Sequence, residues 1–220
     1  MMWGLPNNIT FEPRKPVDLG TMIKNGCECI TGMMVYHDMV AGAQQQGAKK
    51  YCDMPSHLPR GELIQKHVAE VLHQAEGANV KEGGWIGGDA WFGSINAAVE
   101  LKCHLGINST FIVKQNCNYC PINVIRSILL ARYSTRPAGH WVVMKATISG
   151  VDLFLMAYGW SQKGIPYMVS TCGTTVRHTN DYRSKFPDGY GNTDSRSYPR
   201  PSIAHFLYKF LPLINEHNKA

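Results

Sequence analysis

The sequence predicts an α/β fold built on a mixed sheet with helices on both faces. Three observations carry that expectation. Short stretches with strand-type alternation are interspersed with stretches whose apolar residues recur at helical spacing. Hydrophobic residues make up 44% of the 220 positions and charged residues 17%, so a core can be buried and a solvated coil is excluded. The 21 glycines and 12 prolines punctuate these stretches with turns.

Residues 1–19 carry Pro6, Pro13 and Pro16 with a basic pair, Arg14 and Lys15, and read as a surface lead-in ahead of one domain over 20–220. Residues 20–30 and 31–41 read as two strands of a hairpin joined at Thr31 and Gly32. Residues 42–60 have loop composition, with Lys49, Lys50, Pro55 and Pro59. Over 61–75, Leu63, Val68, Val71 and Leu72 fall near one helical face, which predicts an amphipathic helix packed on a sheet.

The passage GGWIGGDAWFGS, residues 83–94, reads as a strand running into a loop, with Asp89 at the strand's exit and a helix over 95–105. Residues 110–116 form a further strand, and Pro121 opens a helix reaching Arg132. Residues 141–148 and 151–160 make a second hairpin over Ser149 and Gly150, and 165–171 add a strand. The polar residues 173–200 read as a long loop in which Arg177, Arg183, Lys185, Arg196 and Arg200 interleave with Tyr182, Tyr190 and Tyr198. Pro201 and Ile203 then begin a closing helix dented at Pro212.

Lysine and arginine total 22 against 16 acids, a formal charge of +6 that favours polyanionic partners. The longest apolar stretch, 141–160, is interrupted by Lys145, Ser149 and Asp152 and cannot serve as a membrane helix. The amino terminus lacks a cationic start followed by an apolar run, so an intracellular protein is expected. Seven cysteines, an odd number, then read as reduced thiols rather than as a disulfide framework.

Two-metal phosphoryl chemistry needs carboxylates converging from separate segments to clamp the attacking and leaving oxygens. Glu28 in the first hairpin and Asp89 at a strand exit are candidates, with a third ligand wanted from the closing helix. Each has a plain structural alternative: Asp89 as a turn or helix cap, Glu28 as a solvated strand side chain. Sulfur offers a rival site. Cys27 and Cys29, Cys117 and Cys120, and Cys103 beside His104 could hold zinc if two of these groups met. A redox role for Cys117 and Cys120 is disfavoured by the lack of a thioredoxin-like strand-to-helix context. No nucleophile elbow accompanies any cysteine, and GGWIGG lacks the Lys-Ser/Thr ending of a phosphate loop.

Four blocks in order are more specific than any of these motifs. FEPRKPVDLGTMIKNGCECITG, GGDAWFGSINAAVELK, GYGNTDSRSYPRP and INEHNKA resemble the transposase domain of piggyBac transposable element-derived proteins over most of the chain. The resemblance implies a ribonuclease H-like core, incomplete at both ends, whose three aspartates bind two Mg²⁺ ions and cut and join DNA. The matching positions here are Glu28, Asp89 and Asn215, with Glu28 and Asp89 as the metal ligands.

Two of the three positions depart from the family pattern. Glutamate keeps the charge but moves the carboxylate by roughly 1 Å, a shift that can cost ~100-fold in rate. Asparagine offers one carbonyl oxygen and no charge, so the cations lose an anionic ligand. Glu216 cannot simply replace it, since adjacent helical residues point ~100° apart. The resemblance therefore implies a fragment descended from a Mg²⁺-dependent cut-and-paste transposase, catalytically impaired, nuclear where the family role persists, with an oligomer left open. A noncatalytic DNA-binding protein is the alternative, with Lys114, Arg126, Arg132, Arg177, Arg183 and Arg200 on phosphates. A small zinc module built on the cysteine pairs is a further one.

Overall fold

The computed structural model describes residues 10–11, 19–20, 23–27, 34–39, 84–117, 119–133, 138–159, 164–172, 175–187 and 193–217. The chain divides into two units, residues 81–211 and residues 1–80 with 212–220. The larger unit holds a five-stranded sheet made from β5 (Trp85–Gly88), β6 (Asn108–Val113), β7 (Trp141–Ile148), β8 (Val151–Tyr158) and β9 (Tyr167–Ser170). Their order is β5-β6-β9-β8-β7, with β5 and β6 parallel and every other pair antiparallel. The mixed sheet is the one the sequence predicts.

Parallel strands need a crossover, and α1 (Ile95–Leu105) supplies it between β5 and β6. Its start is set by Ser94, whose hydroxyl accepts a 3.0 Å bond from the Ala97 N–H. Its end is set by Gly106, left-handed at φ 64°, after which the Ile107 N–H reaches back to the Leu101 carbonyl at 3.2 Å. Ala97, Ala98 and Leu101 are buried along the inward stripe. In α2 (Ile122–Tyr133) the same stripe is Ile122, Ile125 and Leu129, one turn apart, and the Pro121 carbonyl accepts the first helical bond from the Ile125 N–H.

β8 shows how both faces of the sheet are covered. Leu155, Met156, Ala157 and Tyr158 are consecutive and all buried, so alternation turns half of them to each side. The third helix, α3 (Ser202–His217), sets Ile203, Ala204 and Leu207 against Met156, Tyr158 and Met168. The helices α1 and α2 contact β6, β8 and β9 or their neighbours from the side that carries Phe111, Val169 and Leu155. Ser149 and Gly150 make the two-residue turn between β7 and β8, with φ 51° and 78°, as a primed hairpin turn requires. From Lys145 onward β7 is exposed, a solvated edge bearing lysine.

A buried hydroxyl seam crosses β5, β6 and β9. The Trp85 indole N–H donates to Thr110 Oγ1 at 3.0 Å, and Thr110 Oγ1 shares a hydrogen with Ser170 Oγ at 2.7 Å. These bonds pin the register next to the strand that leads to Asp89.

The polar residues expected to form one long loop over 173–200 instead carry an antiparallel hairpin, β10 (Tyr182–Pro187) with β11 (Thr193–Tyr198). Its base is tied to the rest of the unit. The His178 N–H bonds the Arg200 carbonyl at 2.8 Å, the Ser202 N–H bonds the Val176 carbonyl at 3.0 Å, and the Tyr158 hydroxyl donates to the Pro199 carbonyl at 3.2 Å. Those anchors order a ribbon whose own residues carry too few apolar side chains to show as a strand pattern.

In the smaller unit, β1 (Thr10–Phe11) pairs with β2 (Leu19–Gly20), and β3 (Ile23–Cys27) pairs antiparallel with β4 (Met34–Met39). The second pair matches the predicted first hairpin, with a bulge between Gly26 and Cys27. The amphipathic helix expected over 61–75 lies outside the described residues. The boundary between the units falls at Pro212, inside α3, where the ring removes one backbone donor from the helix.

Candidate functional site

Asp89 stands where the sequence places it, on the residue after β5, and it is exposed. Its Oδ1 accepts a 2.8 Å bond from the Trp91 N–H and its backbone carbonyl accepts from the Gly93 N–H at 3.1 Å. The carboxylate therefore closes an Asx turn, the structural alternative that the residue type allows. The turn is pressed onto β6 at Gly93, where a Cβ would overlap the Ile112 carbonyl. Ser94 follows at once as the cap of α1. Strand, turn and capped helix thus hold one exposed carboxylate at the carboxyl end of β5, with one oxygen oriented by a backbone donor and Oδ2 outside that bond. Gly93 and Ser94 do positioning work that the sequence signals only as a Gly-Ser pair ahead of a helix.

The other two acidic-block positions belong to the smaller unit. Glu28 lies outside the described residues. Asn215 lies in the last turns of α3, where the backbone is helical. Among the described residues no group of three or more His, Cys, Asp or Glu side chains is placed to hold a metal ion. Asp89 on its own is a hard oxygen donor of the kind Mg²⁺ takes.

The six basic residues expected on phosphates divide by environment. Lys114, just beyond β6, Arg126 and Arg132 on α2, and Arg183 on β10 are exposed. Arg177 is exposed as well, but both Asp181 carboxylate oxygens receive its Nη2, at 2.8 and 2.9 Å. Arg200 is not on the surface. It is 7% exposed, and its guanidinium lies over the Tyr182 ring at 4.6 Å, so it supports the base of the hairpin from within. The hairpin brings in two basic positions outside the six. Its register sets Ser184 opposite Arg196 and Lys185 opposite Ser195, and Arg196 is exposed.

Cys103 Sγ donates weakly to the Ser149 carbonyl at 3.9 Å, and His104 Nε2 sits 3.0 Å from Glu100 on the same helix. Cys27 ends β3 and Cys29 lies outside the described residues. Cys117 and Cys120 do meet, with sulfurs 3.3 Å apart. They occupy the turn between β6 and α2.

No family model matches the chain, and no curated protein matches it. Among solved structures it is similar to a cryo-EM structure of the piggyBac transposase synaptic complex with hairpin DNA, with a TM-score of 0.62 and 19% identity. The likeness covers 98% of this chain and 37% of that one, so the chain spans little more than a third of the length of the structure it matches. The five-stranded mixed sheet with its helices agrees with the ribonuclease H-like α/β class implied by the four sequence blocks. No helix among the described residues is long and apolar enough to cross a membrane.

Proposed function

We propose that the chain is a transposase-derived protein of piggyBac type that binds DNA and is impaired in strand cleavage. The observation that carries this reading is the fold likeness over 98% of the chain to a transposase held in a complex with hairpin DNA. Exposed Lys114, Arg126, Arg132 and Arg183, from the end of β6, α2 and β10 of the larger unit, supply cations for phosphates, and Arg196 adds to them. Such a protein would work in the nucleus. Asp89 would be a Mg²⁺ ligand, and the ion when bound would polarise phosphate oxygens and activate the attacking water or 3′-hydroxyl. In this reading Asp89 presents a carboxylate fixed by the Trp91 N–H, whereas Asn215 brings an uncharged amide where the family pattern has an acid. The positive charge that two cations bring is then under-compensated, which weakens metal binding and the rate together.

The test separates binding from cleavage. Fluorescence anisotropy with a labelled duplex, titrated at ~50 to ~200 mM salt, should show affinity falling steeply, with a log–log slope near −0.9 for each phosphate neutralised. Arg183→Ala should flatten that slope by about 1 without changing sequence preference. Binding that ignores salt, or no binding at ~50 mM, would sink the DNA reading. Nicking of supercoiled plasmid in Mg²⁺ or Mn²⁺ that disappears in Asp89→Asn would show that cleavage is not impaired. Binding without nicking favours the noncatalytic form of the proposal.

A further inference from the structure

The turn between β6 and α2 folds two sulfurs against each other. The Cys117 N–H bonds the Lys114 carbonyl at 3.0 Å, and the Cys120 N–H bonds the Cys117 carbonyl at 3.3 Å, so the backbone doubles back between them. Tyr119 takes a left-handed φ of 63° to complete the reversal, and its side chain is 81% exposed. The Cys120 thiol then donates to Cys117 Sγ at 3.3 Å. Pro121 and Ile122 follow and start α2. No third metal-ligating side chain joins the pair among the described residues.

We propose that Cys117 and Cys120 are a redox dithiol that closes to an intramolecular disulfide under the glutathione couple. The step begins at Cys117, which accepts the hydrogen bond and is therefore the sulfur that carries negative charge at lower cost. Its thiolate attacks one sulfur of oxidised glutathione. A mixed disulfide forms and the first glutathione thiolate leaves, taking up a proton. Cys120 then gives up its proton, and its sulfur attacks Cys117 Sγ and expels the second glutathione. Two protein thiols are oxidised to one disulfide while oxidised glutathione is reduced to two glutathione thiols, so electrons and protons balance. The hydrogen bond to Cys117 and burial both push the Cys120 thiol up, in keeping with Cys117 as the attacking sulfur. The proposal stands apart from the DNA-binding reading and needs neither Asp89 nor the basic surface.

The full chain provides its own control, since Cys103 is an exposed thiol with no sulfur neighbour among the described residues. The protein is equilibrated in glutathione buffers from reducing to oxidising, quenched with acid, alkylated and digested with trypsin. Cleavage after Lys114 and Arg126 releases residues 115–126, which carry both sulfurs and no other cysteine. At the oxidising end this peptide should be unalkylated and about 2 Da lighter, while Cys103 carries glutathione or the alkyl group. In Cys120→Ser the mixed disulfide should persist on Cys117, and in Cys117→Ser residue 120 should take up glutathione at least ~10-fold more slowly.

A peptide that stays doubly alkylated while Cys103 has taken up glutathione would overturn the proposal. So would stoichiometric zinc in the isolated protein that must be chelated before either thiol reacts, which would make the pair part of a metal site. If a serine variant fails to give a cooperative melt, the mass of the wild-type peptide decides alone.

Discussion

Leu207 is the side chain on which the seating of α3 rests. It is 1% exposed, lies among Met156, Tyr158, Met168, Ile203 and Ala204, and its Cδ1 would stand 3.2 Å from a Cβ added at Gly87. Leu207→Ala removes three carbons at about 0.8 kcal/mol each, and because the sheet cannot follow the lost volume a cavity penalty adds to this, giving a cost of about 3–4 kcal/mol. Phe206, the residue beside it, is 47% exposed, and Phe206→Ala should cost no more than about 0.5–1 kcal/mol. Gly87→Ala drives a methyl toward both Trp85 and Leu207. Removing the Leu207 branch relieves the second of those contacts, so the two substitutions should cost less together than the sum of each alone. The assay is urea unfolding of the parent, the three single variants and the double variant followed by tryptophan fluorescence, with midpoints compared at constant slope. Equal losses for Phe206→Ala and Leu207→Ala, or strict additivity of Gly87→Ala with Leu207→Ala, would refute the assignment of this helix face to the sheet.

Thr110→Val keeps the shape of the side chain but takes the acceptor from the Trp85 indole N–H and the partner from Ser170. It should cost about 1–3 kcal/mol by urea unfolding, with Thr110→Ser well below that. His205 stacks face to face on His178 at 3.6 Å. Desolvation first, then the positive potential of His178, Arg200 and Lys209, holds its pKa below 6.5. A depressed histidine favours the neutral ring in the folded state. Its contribution is therefore complete above the unfolded value of 6.5 and is lost as pH falls from there toward the folded one. The urea midpoint should drop between about pH 7 and about pH 5, and His205→Phe should flatten that drop. An unchanged pH dependence in the variant would contradict the assignment.

Most of the larger unit was legible because its elements carry clean punctuation. Ile95–Leu105 begins after Ser94 and ends before Gly106, Pro121 precedes the second helix, and Ser149 with Gly150 marks a turn between two strand-length runs rich in apolar residues. These are local rules, and local rules read directly from residue type. The β10–β11 hairpin escaped because its order comes from outside itself. Tyr182 is held by Arg200, and Arg200 is buried by tertiary packing that no local pattern reports. The same fact explains why Arg200 looked like a phosphate ligand. An arginine between prolines in a polar stretch reads as solvated until a tyrosine face is found over which it lies. The sulfur contact was not legible for a similar reason: the strand and the helix could each be read, but not that the turn between them closes tightly enough to bring two sulfurs to 3.3 Å.

Asp89 shows why the structural and the chemical reading of one residue need not compete. The Asx turn uses Oδ1 and fixes the carboxylate plane, and this is what a metal ligand needs from its surroundings. Alanine at this position removes the turn acceptor and the charge together, so a lost activity in Asp89→Ala would say nothing about which one mattered. Asparagine retains a carbonyl oxygen for the Trp91 N–H while abolishing the charge. Asp89→Asn should therefore melt within about 0.5 kcal/mol of the parent, whereas Asp89→Ala should lose about 1 kcal/mol. Mg²⁺ binding, read by calorimetry, should be weakened equally in both. If asparagine binds Mg²⁺ as well as aspartate does, the carboxylate serves the turn alone, and the metal-site reading of the strand exit fails whatever the fold resembles.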